Sequence, residues 1–321
     1  MRRKYLLHLE PFRESHLAQL QSLINCHLGS VVPGWALSSH FISSHLGRNP
    51  GQYVTDPWVI ERRTLCALER GRLLGAVHLL RYGSGPEVGG DFQRAGEIAW
   101  FLAWPPSPPG RYLFPYSFAE SAEALLRAAL AQLDEWSVTK QYASEDLWLP
   151  ALDGVPDQWP HVAEAIAAVG FQPSPEAEEI VRFGLLASVP EPSKPPVSGV
   201  DLRRRTAETF VRFSAMLGQD EIAFCEWSLD LGSGGDVQAL AAWAEVADLW
   251  VKDDWRNRGL GSWLVQSASA LLRRGGYERV ILAVSPERER SGAARFYERL
   301  GWSVLTRLQR GHSRPAVPAE V

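Results

Sequence analysis

Cysteine is scarce: the 321 residues contain three, Cys26, Cys66 and Cys225. The count is odd and no Cys-x-x-Cys spacing occurs, so neither a zinc site nor a disulfide framework fits. Free thiols of this kind point to a reducing, cytoplasmic setting. A basic excess is lacking too. Lys and Arg number 33 against 37 Asp and Glu, a net charge of −4, whereas a nucleic-acid binder carries a positive face. The 13 tryptophans have no basic run between them and read as core and cleft lining rather than base-stacking platforms. No apolar run reaches the roughly 18 residues of a membrane span. After the basic start Met1-Arg2-Arg3-Lys4, only Tyr5, Leu6 and Leu7 precede His8, too few for a secretory leader. The eight histidines are scattered, with none at i,i+4. No metal is expected, and His161 reads as a helix-start or core histidine.

The chain does have two patterned stretches on either side of a proline-rich one. Residues 188–198, SVPEPSKPPVS, hold four prolines and no apolar periodicity, which suits a stiff extended connector. The expected division is a first domain over 1–187, the linker 188–198, a second domain over 199–310 and a loose tail over 311–321. In the second half, alternation predicts strands over 200–204, 209–217 and 221–229, the last two a hairpin across Gly218-Gln219-Asp220. A strand over 245–252 follows. Leu260, Leu264, Ala268, Leu271 and Leu272 recur at helical spacing and predict a helix over 260–274, stopped by Gly275-Gly276. Residues 279–284, RVILAV, read as a central buried strand, then a helix over 291–300 and a strand over 302–308. The first half repeats the order: strand 5–10, helices 14–24 and 36–46, a hairpin 64–69 with 73–81, strand 97–103, helix 119–136, strand 147–149, helix 161–169 and a closing strand 178–186. The two halves read as a degenerate internal duplication of one mixed α/β fold.

Between strand 245–252 and its helix stands Arg256-Asn257-Arg258-Gly259-Leu260-Gly261-Ser262. A strand that turns straight into a helix leaves main-chain N–H groups unpaired and sets the positive end of the helix dipole among them. Glycines at 259 and 261 remove Cβ atoms from the approach, so a pyrophosphate can rest on the backbone. Arg256 and Arg258 add charge. The same letters also describe a plain tight turn. The segment is neither a P-loop nor a G-x-G-x-x-G fingerprint.

Some forty residues on, the chain reads Ala293-Ala294-Arg295-Phe296-Tyr297-Glu298-Arg299-Leu300-Gly301-Trp302. Together, the two segments with RVILAV between them resemble the signatures of the GNAT acetyltransferase superfamily over residues 199–308. The resemblance implies a tandem pair of GNAT-like α/β domains. Each would have a central, mostly antiparallel twisted sheet flanked by helices, with a splayed parallel strand pair at the cofactor site. It implies acetyl-CoA, or another acyl-CoA, as cosubstrate, its pyrophosphate on residues 256–262 and its pantetheine arm along Leu249-Trp250-Val251 as an added strand. The acceptor would be an amine of a small molecule or peptide, with no nucleic-acid or membrane partner.

Two chemical roles follow from the resemblance. Tyr297 matches the family's usual acid, a phenol able to protonate the departing sulfur, although a packed core aromatic reads the same way. Glu245 is the candidate base, with Asp248 and Glu226 as alternatives and a structural carboxylate as the plain reading. Departures accompany the match. Arg290 stands where many members have asparagine, and the second half lacks two early helices that usually wall the acceptor pocket. In the first half, Pro105-Pro106-Ser107-Pro108-Pro109-Gly110 replaces the turn. Prolines donate no N–H, so this half reads as a noncatalytic scaffold, lid or acceptor-recognition domain. Tandem acetyltransferases of thiol or antibiotic metabolism are a closer variant of this reading; a noncatalytic acyl-CoA sensor is the competing one.

Overall fold

A computed structural model describes residues 7–48, 56–105, 118–149, 151–174, 177–229, 231, 237 and 240–315. The chain forms two units, Met1–Glu178 with Leu308–Val321, and Glu179–Arg307.

In the first unit, strand β1 (His8–Pro11) leads to helices α1 (Leu17–Val31) and α2 (Ser39–Leu46). Ser38 caps α2, its hydroxyl accepting from the Phe41 N–H at 3.1 Å, which satisfies one of the donors left over at a helix start. Strands β2 (Val59–Glu69) and β3 (Arg72–Tyr82) form a hairpin. Its two central residues, Arg70 and Gly71, both have positive φ, the backbone that matches the twist of the flanking strands. Strand β4 (Ala95–Ala103) is buried throughout. Helix α3 (Phe118–Glu135) carries the chain over to β5 (Lys140–Ala143), parallel to β4, as a parallel pair requires. The two-residue β6 (Val155–Pro156) and α4 (Pro160–Ala168) complete this stretch. Residues 147–149 are not the expected strand. The strand there is Lys140–Ala143, whose polar sequence KQYA gave no alternation to read.

Beyond β5 the first unit's parallel pair stays closed. The Ser144 N–H donates to Ile98 O at 3.0 Å and the Asp146 N–H to Ala99 O at 2.8 Å. The Phe101 N–H is taken by the buried Glu145 carboxyl, at 3.0 Å from each oxygen. Burial pushes that carboxyl well above the usual carboxylate range. The residues expected to fail as an anion cradle, 106–110, lie outside the described residues.

All eight histidines belong to this unit. His27 Nδ1–H donates to Leu23 O at 2.9 Å, so its Nε2 accepts from His161 Nε2 at 3.1 Å. Burial holds His27 down at about 4 and His78 at about 3.

In the second unit, β7 (Glu178–Leu185), β8 (Val200–Thr206), β9 (Phe210–Leu217), β10 (Asp220–Ser228), β11 (Trp243–Val251), α5 (Leu260–Arg274), β12 (Arg279–Val284), the short α6 (Pro286–Arg288), a π turn (Glu289–Ala293), α7 (Ala294–Arg299) and β13 (Ser303–Gln309) follow in order. The sheet runs β13-β7-β12-β11-β10-β9-β8. One apolar cluster joins α5 and α7 to the strands, through Leu260, Leu264, Tyr297 and Trp302 against Cys225, Trp227, Val246 and Leu282. A left-handed Gly276 ends α5, with the Tyr277 N–H on Leu272 O and the Gly276 N–H on Arg273 O, which satisfies its last carbonyls.

Two strands lie where the pattern did not point. β7, expected to close the first half, stands between β12 and β13. The strand β14 (His312–Pro315), within the expected tail, pairs with β5 in the first unit's sheet. β12 needs a partner on both edges because its apolar run is buried, and β7 supplies the one that β11 does not. Beyond Ser188, which ends a 3-10 turn (Leu186–Ser188), the residues up to 198 form no helix or strand but run along α5. Trp263 Nε1–H donates to Ser193 O at 3.1 Å, and Arg273 Nη1 to Val189 O at 3.1 Å.

The histidine burial gives a first prediction. Below pH 6.5 the unfolded chain binds protons that the folded His27 and His78 refuse. Each therefore contributes stability above its unfolded value of 6.5 that is lost as the pH falls through about 4 for His27 and about 3 for His78. At about pH 5.5 the nitrogen shifts of both rings are expected to report neutral imidazole. Midpoints near 6.5 contradict the assignment.

Candidate active site

β11 and β12 pair in parallel for three residues only, Trp243 with Arg279, Ala244 with Val280 and Glu245 with Ile281. The register of β11 against β10 then shifts, so that Trp227 faces Val246 but Glu226 faces Asp248. The extra residue, Ala247, makes a bulge, and a bulge bends its strand. From there β11 runs on to Val251 with no partner on the β12 side among the described residues. The opening is a cleft of about 1040 Å³. Leu249, Trp250 and Val251 line one wall, and Phe296 and Tyr297 of α7 another.

The α5 end of the cleft is built from main chain. Residues Asp253–Trp255 make one 3-10 turn, closed by the Trp255 N–H on Lys252 O and the Arg256 N–H on Asp253 O. Asn257 and Gly259 then take positive φ, 60° and 83°, and α5 begins. Its first main-chain bond is Trp263 N–H to Gly259 O at 3.0 Å. Among the described residues, the six N–H groups from Asn257 to Ser262 have no acceptor. Unpaired donors concentrated at the positive end of a 15-residue helix are an arrangement suited to an anion.

The two glycines of the turn serve different ends. At Gly259 a side chain would be strained by φ and would crowd Pro196, 3.3 Å from an added Cβ. At Gly261 an added Cβ finds its nearest neighbours at 3.8 Å, in Phe296 and Val251, so the fold does not demand glycine there. Arg256 lines the cleft, its Nε donating to Val251 O at 3.2 Å and Nη2 pairing with Asp253 at 2.8 Å. Asn257, Gly259, Leu260, Gly261 and Ser262 line it as well. Arg258 does not; its guanidinium lies over the Trp255 ring, 4.8 Å from the centroid.

Tyr297 is buried, stacked on Trp302 at 5.6 Å and 10° and met edge-on by Phe296 at 5.0 Å. Burial, and then the neighbouring Cys225, push its hydroxyl above the usual phenol range, so it is protonated at neutral pH. The support beneath it comes from β7. Buried Arg182 donates through Nε to Glu289 at 3.2 Å and through Nη1 to Trp302 O at 3.0 Å. Gly184 leaves room for the Trp302 indole, which a Cβ would overlap. Glu289 lies in the π turn, where the helix expected over 291–300 breaks at Gly292, φ 131°.

The carboxylates separate. Glu245 stands at the base of the opening, half-buried and in register with Ser228 and Ile281, but it does not line the cleft. Burial raises its pKa, a hydrogen bond with Ser228 lowers it, and the charge of Glu179 raises it. Asp248 is exposed and lines the cleft. Glu226 faces Asp248 and pairs with Arg212 at 3.5 Å. Glu179, which the sequence reading did not single out, lines the cleft. Its only signal was its place in a strand assigned to the other half.

Removing Arg182 leaves the half-buried Glu289 without its main partner, a change expected to cost up to about 3–5 kcal/mol, the figure for a buried pair. Arg182→Met is expected to lower the urea midpoint accordingly, and Arg182→Met/Glu289→Gln to recover part of the loss. A single variant as stable as the parent contradicts this account of how Tyr297 is held.

Residues 210–304 match the family model described as an acetyltransferase (GNAT) domain. No curated protein matches the chain. Among solved structures, it is similar to a tandem GNAT protein from the clavulanic acid biosynthesis pathway, with TM-score 0.61 and 16% identity, over 98% of this chain and 100% of that one. A GCN5-related N-acetyltransferase from Sphaerobacter thermophilus gives 0.59 at 14% identity, over 98% and 97% of the two chains. A GCN5-related glucosamine N-acetyltransferase region of a fungal multi-domain GH3 β-N-acetylglucosaminidase gives 0.57 at 16%, over 96% of this chain and 38% of that one. At such identities the likeness establishes the fold, and the family model adds the domain. Residues 210–304 thus carry a domain that matches the GNAT acetyltransferase model, and the chain as a whole has the fold of tandem GNAT structures.

Proposed function

We propose that the second unit transfers an acetyl group from acetyl-CoA to an amine of a small molecule or peptide by direct attack. The observation that carries this reading is the set of six acceptor-free amides, Asn257 to Ser262, at the end of a parallel strand pair that parts after three residues. Those amides, with Arg256 and the Ser262 hydroxyl, suit a diphosphate. The unpartnered edge of β11 at Leu249–Val251 suits an extended amide-bearing arm, which pairs with it as a further strand would. The thioester then reaches the place where β11 and β12 part.

The chain's own groups have two tasks there. Tyr297 lines the cleft and stays protonated, so it can donate to a sulfur on which negative charge develops. A carboxylate must take the proton of the acceptor ammonium. Glu245, the candidate from the sequence, is the nearest to the parting of the strands but does not touch the cleft, so it would have to act through water. The rest is positioning, by holding two reactants in one slot. No metal is needed, and among the described residues no group of three or more His, Cys, Asp or Glu forms a metal site. No described helix is long and apolar enough to cross a membrane. A CoA-dependent reaction and three free cysteines suit the cytoplasm.

Two substitutions test the reading. Gly261→Ala fits the free space at that position, and Gly261→Asp adds a negative charge among the phosphate donors. By calorimetry, Gly261→Asp is expected to weaken acetyl-CoA binding at least about tenfold, or 1.4 kcal/mol. Equal affinities for Gly261→Asp and the parent remove the turn from the site. Tyr297→Phe keeps the ring stacked on Trp302 and is expected to lower kcat by about 10²-fold or more with acetyl-CoA affinity unchanged. An unaltered kcat moves the acid elsewhere.

A further inference from the structure

We propose that Glu179 is the catalytic carboxylate of the acceptor side: it binds the acceptor's ammonium in the cleft and takes the proton that frees the nitrogen to attack. The proposal rests on the acyl-transfer reading and replaces its candidate base.

The placement follows from the register of β7. Ile180 pairs with Val284, the last residue of β12, so Glu179 stands beside Ser285, where β12 gives way to α6. Glu179, Val284, Ser285 and Tyr297 all line the one cleft. Side chains alternate along a strand. Ile180, Arg182 and Gly184 therefore share one face of β7, and the contacts of Arg182 and Gly184 with Glu289 and Trp302 identify it as the face that carries α7 and Tyr297. Glu179, Val181 and Phe183 share the other. Phe183, Ile281 and Glu245 are directly paired across three strands and so lie on that same second face.

Base and acid are thus divided between the two faces of the sheet, with the gap between β11 and β12 joining them. Acyl transfer needs this separation. The nitrogen arrives on one side of the thioester carbonyl and the sulfur leaves on another, so the group that accepts a proton and the group that donates one cannot share a position. Of the carboxylates on the second face, Glu179 and Asp248 line the cleft, whereas Glu245 and Glu226 do not. Glu245 sits behind Glu179, whose charge makes Glu245 harder to ionise. Asp248 lines the cleft from β11 and is exposed to water; Glu226 is held by Arg212.

The protons balance. The Glu179 carboxylate takes one proton from R–NH3+, giving R–NH2 and a neutral carboxyl that returns its proton to solvent. The nitrogen lone pair forms the C–N bond, the C–S bond breaks, and the sulfur takes the Tyr297 hydroxyl proton. The nitrogen's second proton restores the Tyr297 hydroxyl. The products are an amide, CoA thiol and one proton.

The test compares the full-length parent, Glu179→Gln and Glu245→Gln by thiol release with acetyl-CoA and an amine panel across pH, with acetyl-CoA affinity measured on each. Glu179→Gln is expected to keep the parent's acetyl-CoA affinity and to lose about 10²-fold or more of kcat/KM for the acceptor at neutral pH. The loss is expected to shrink as the pH rises through the amine's own pKa, where no proton remains to be taken. Full activity in Glu179→Gln with loss in Glu245→Gln overturns the assignment, as does a loss that does not change with pH. A parent protein that binds acetyl-CoA and releases no thiol with any amine overturns acyl transfer itself, and the role of Glu179 with it.

Discussion

Six consecutive main-chain donors, without acceptors among the described residues, are the feature on which the proposed site depends. A donor shut away from water without a partner costs about 1–3 kcal/mol, so a fold keeps such a row only where solvent or a ligand can reach it. Here the row faces the cleft because Asn257 and Gly259 turn the chain with positive φ just ahead of α5. The helix then adds its dipole to the same spot. Charge plays the smaller part, since Arg256 is paired with Asp253 and Arg258 lies over Trp255. The backbone, more than the arginines, is what suits the end of this cleft to the anion proposed for it.

In the first unit the corresponding strand pair does not open. There the chain after β5 stays bonded to β4, and the Glu145 carboxyl covers the Phe101 N–H. What is an open slot in the second unit is filled in the first by protein. Three residues in that loop, Glu145, Trp148 and Ala151, have positive φ, a conformation L side chains rarely adopt.

How much could be read from the sequence follows from how far apart the interacting residues lie. The α5 turn, RVILAV and the Tyr297 helix are local in sequence, and their periodicity and glycines marked them. The places of β7 and β14 were hidden, because a strand's pattern reports which faces are buried and not which edge it joins. That blindness had a chemical consequence. Arg182, Gly184 and Glu179 all belong to β7, so the support of Tyr297 and a cleft carboxylate both went unseen. The polar β5 and the closing of the first slot by Glu145 escaped for a related reason: one buried carboxyl bonded across 44 residues leaves no mark in composition or spacing.

Hydrogen exchange at the start of α5 tests the central claim most directly. Amides without an acceptor exchange quickly, and amides that grip a diphosphate do not. In the free protein the N–H groups from Asn257 to Ser262 should exchange fast, beside a slow body of α5. Saturating acetyl-CoA should slow these six, and pantetheine, which has no pyrophosphate, should leave them fast. Six amides already slow in the free protein, or unchanged when acetyl-CoA binds, would contradict the account.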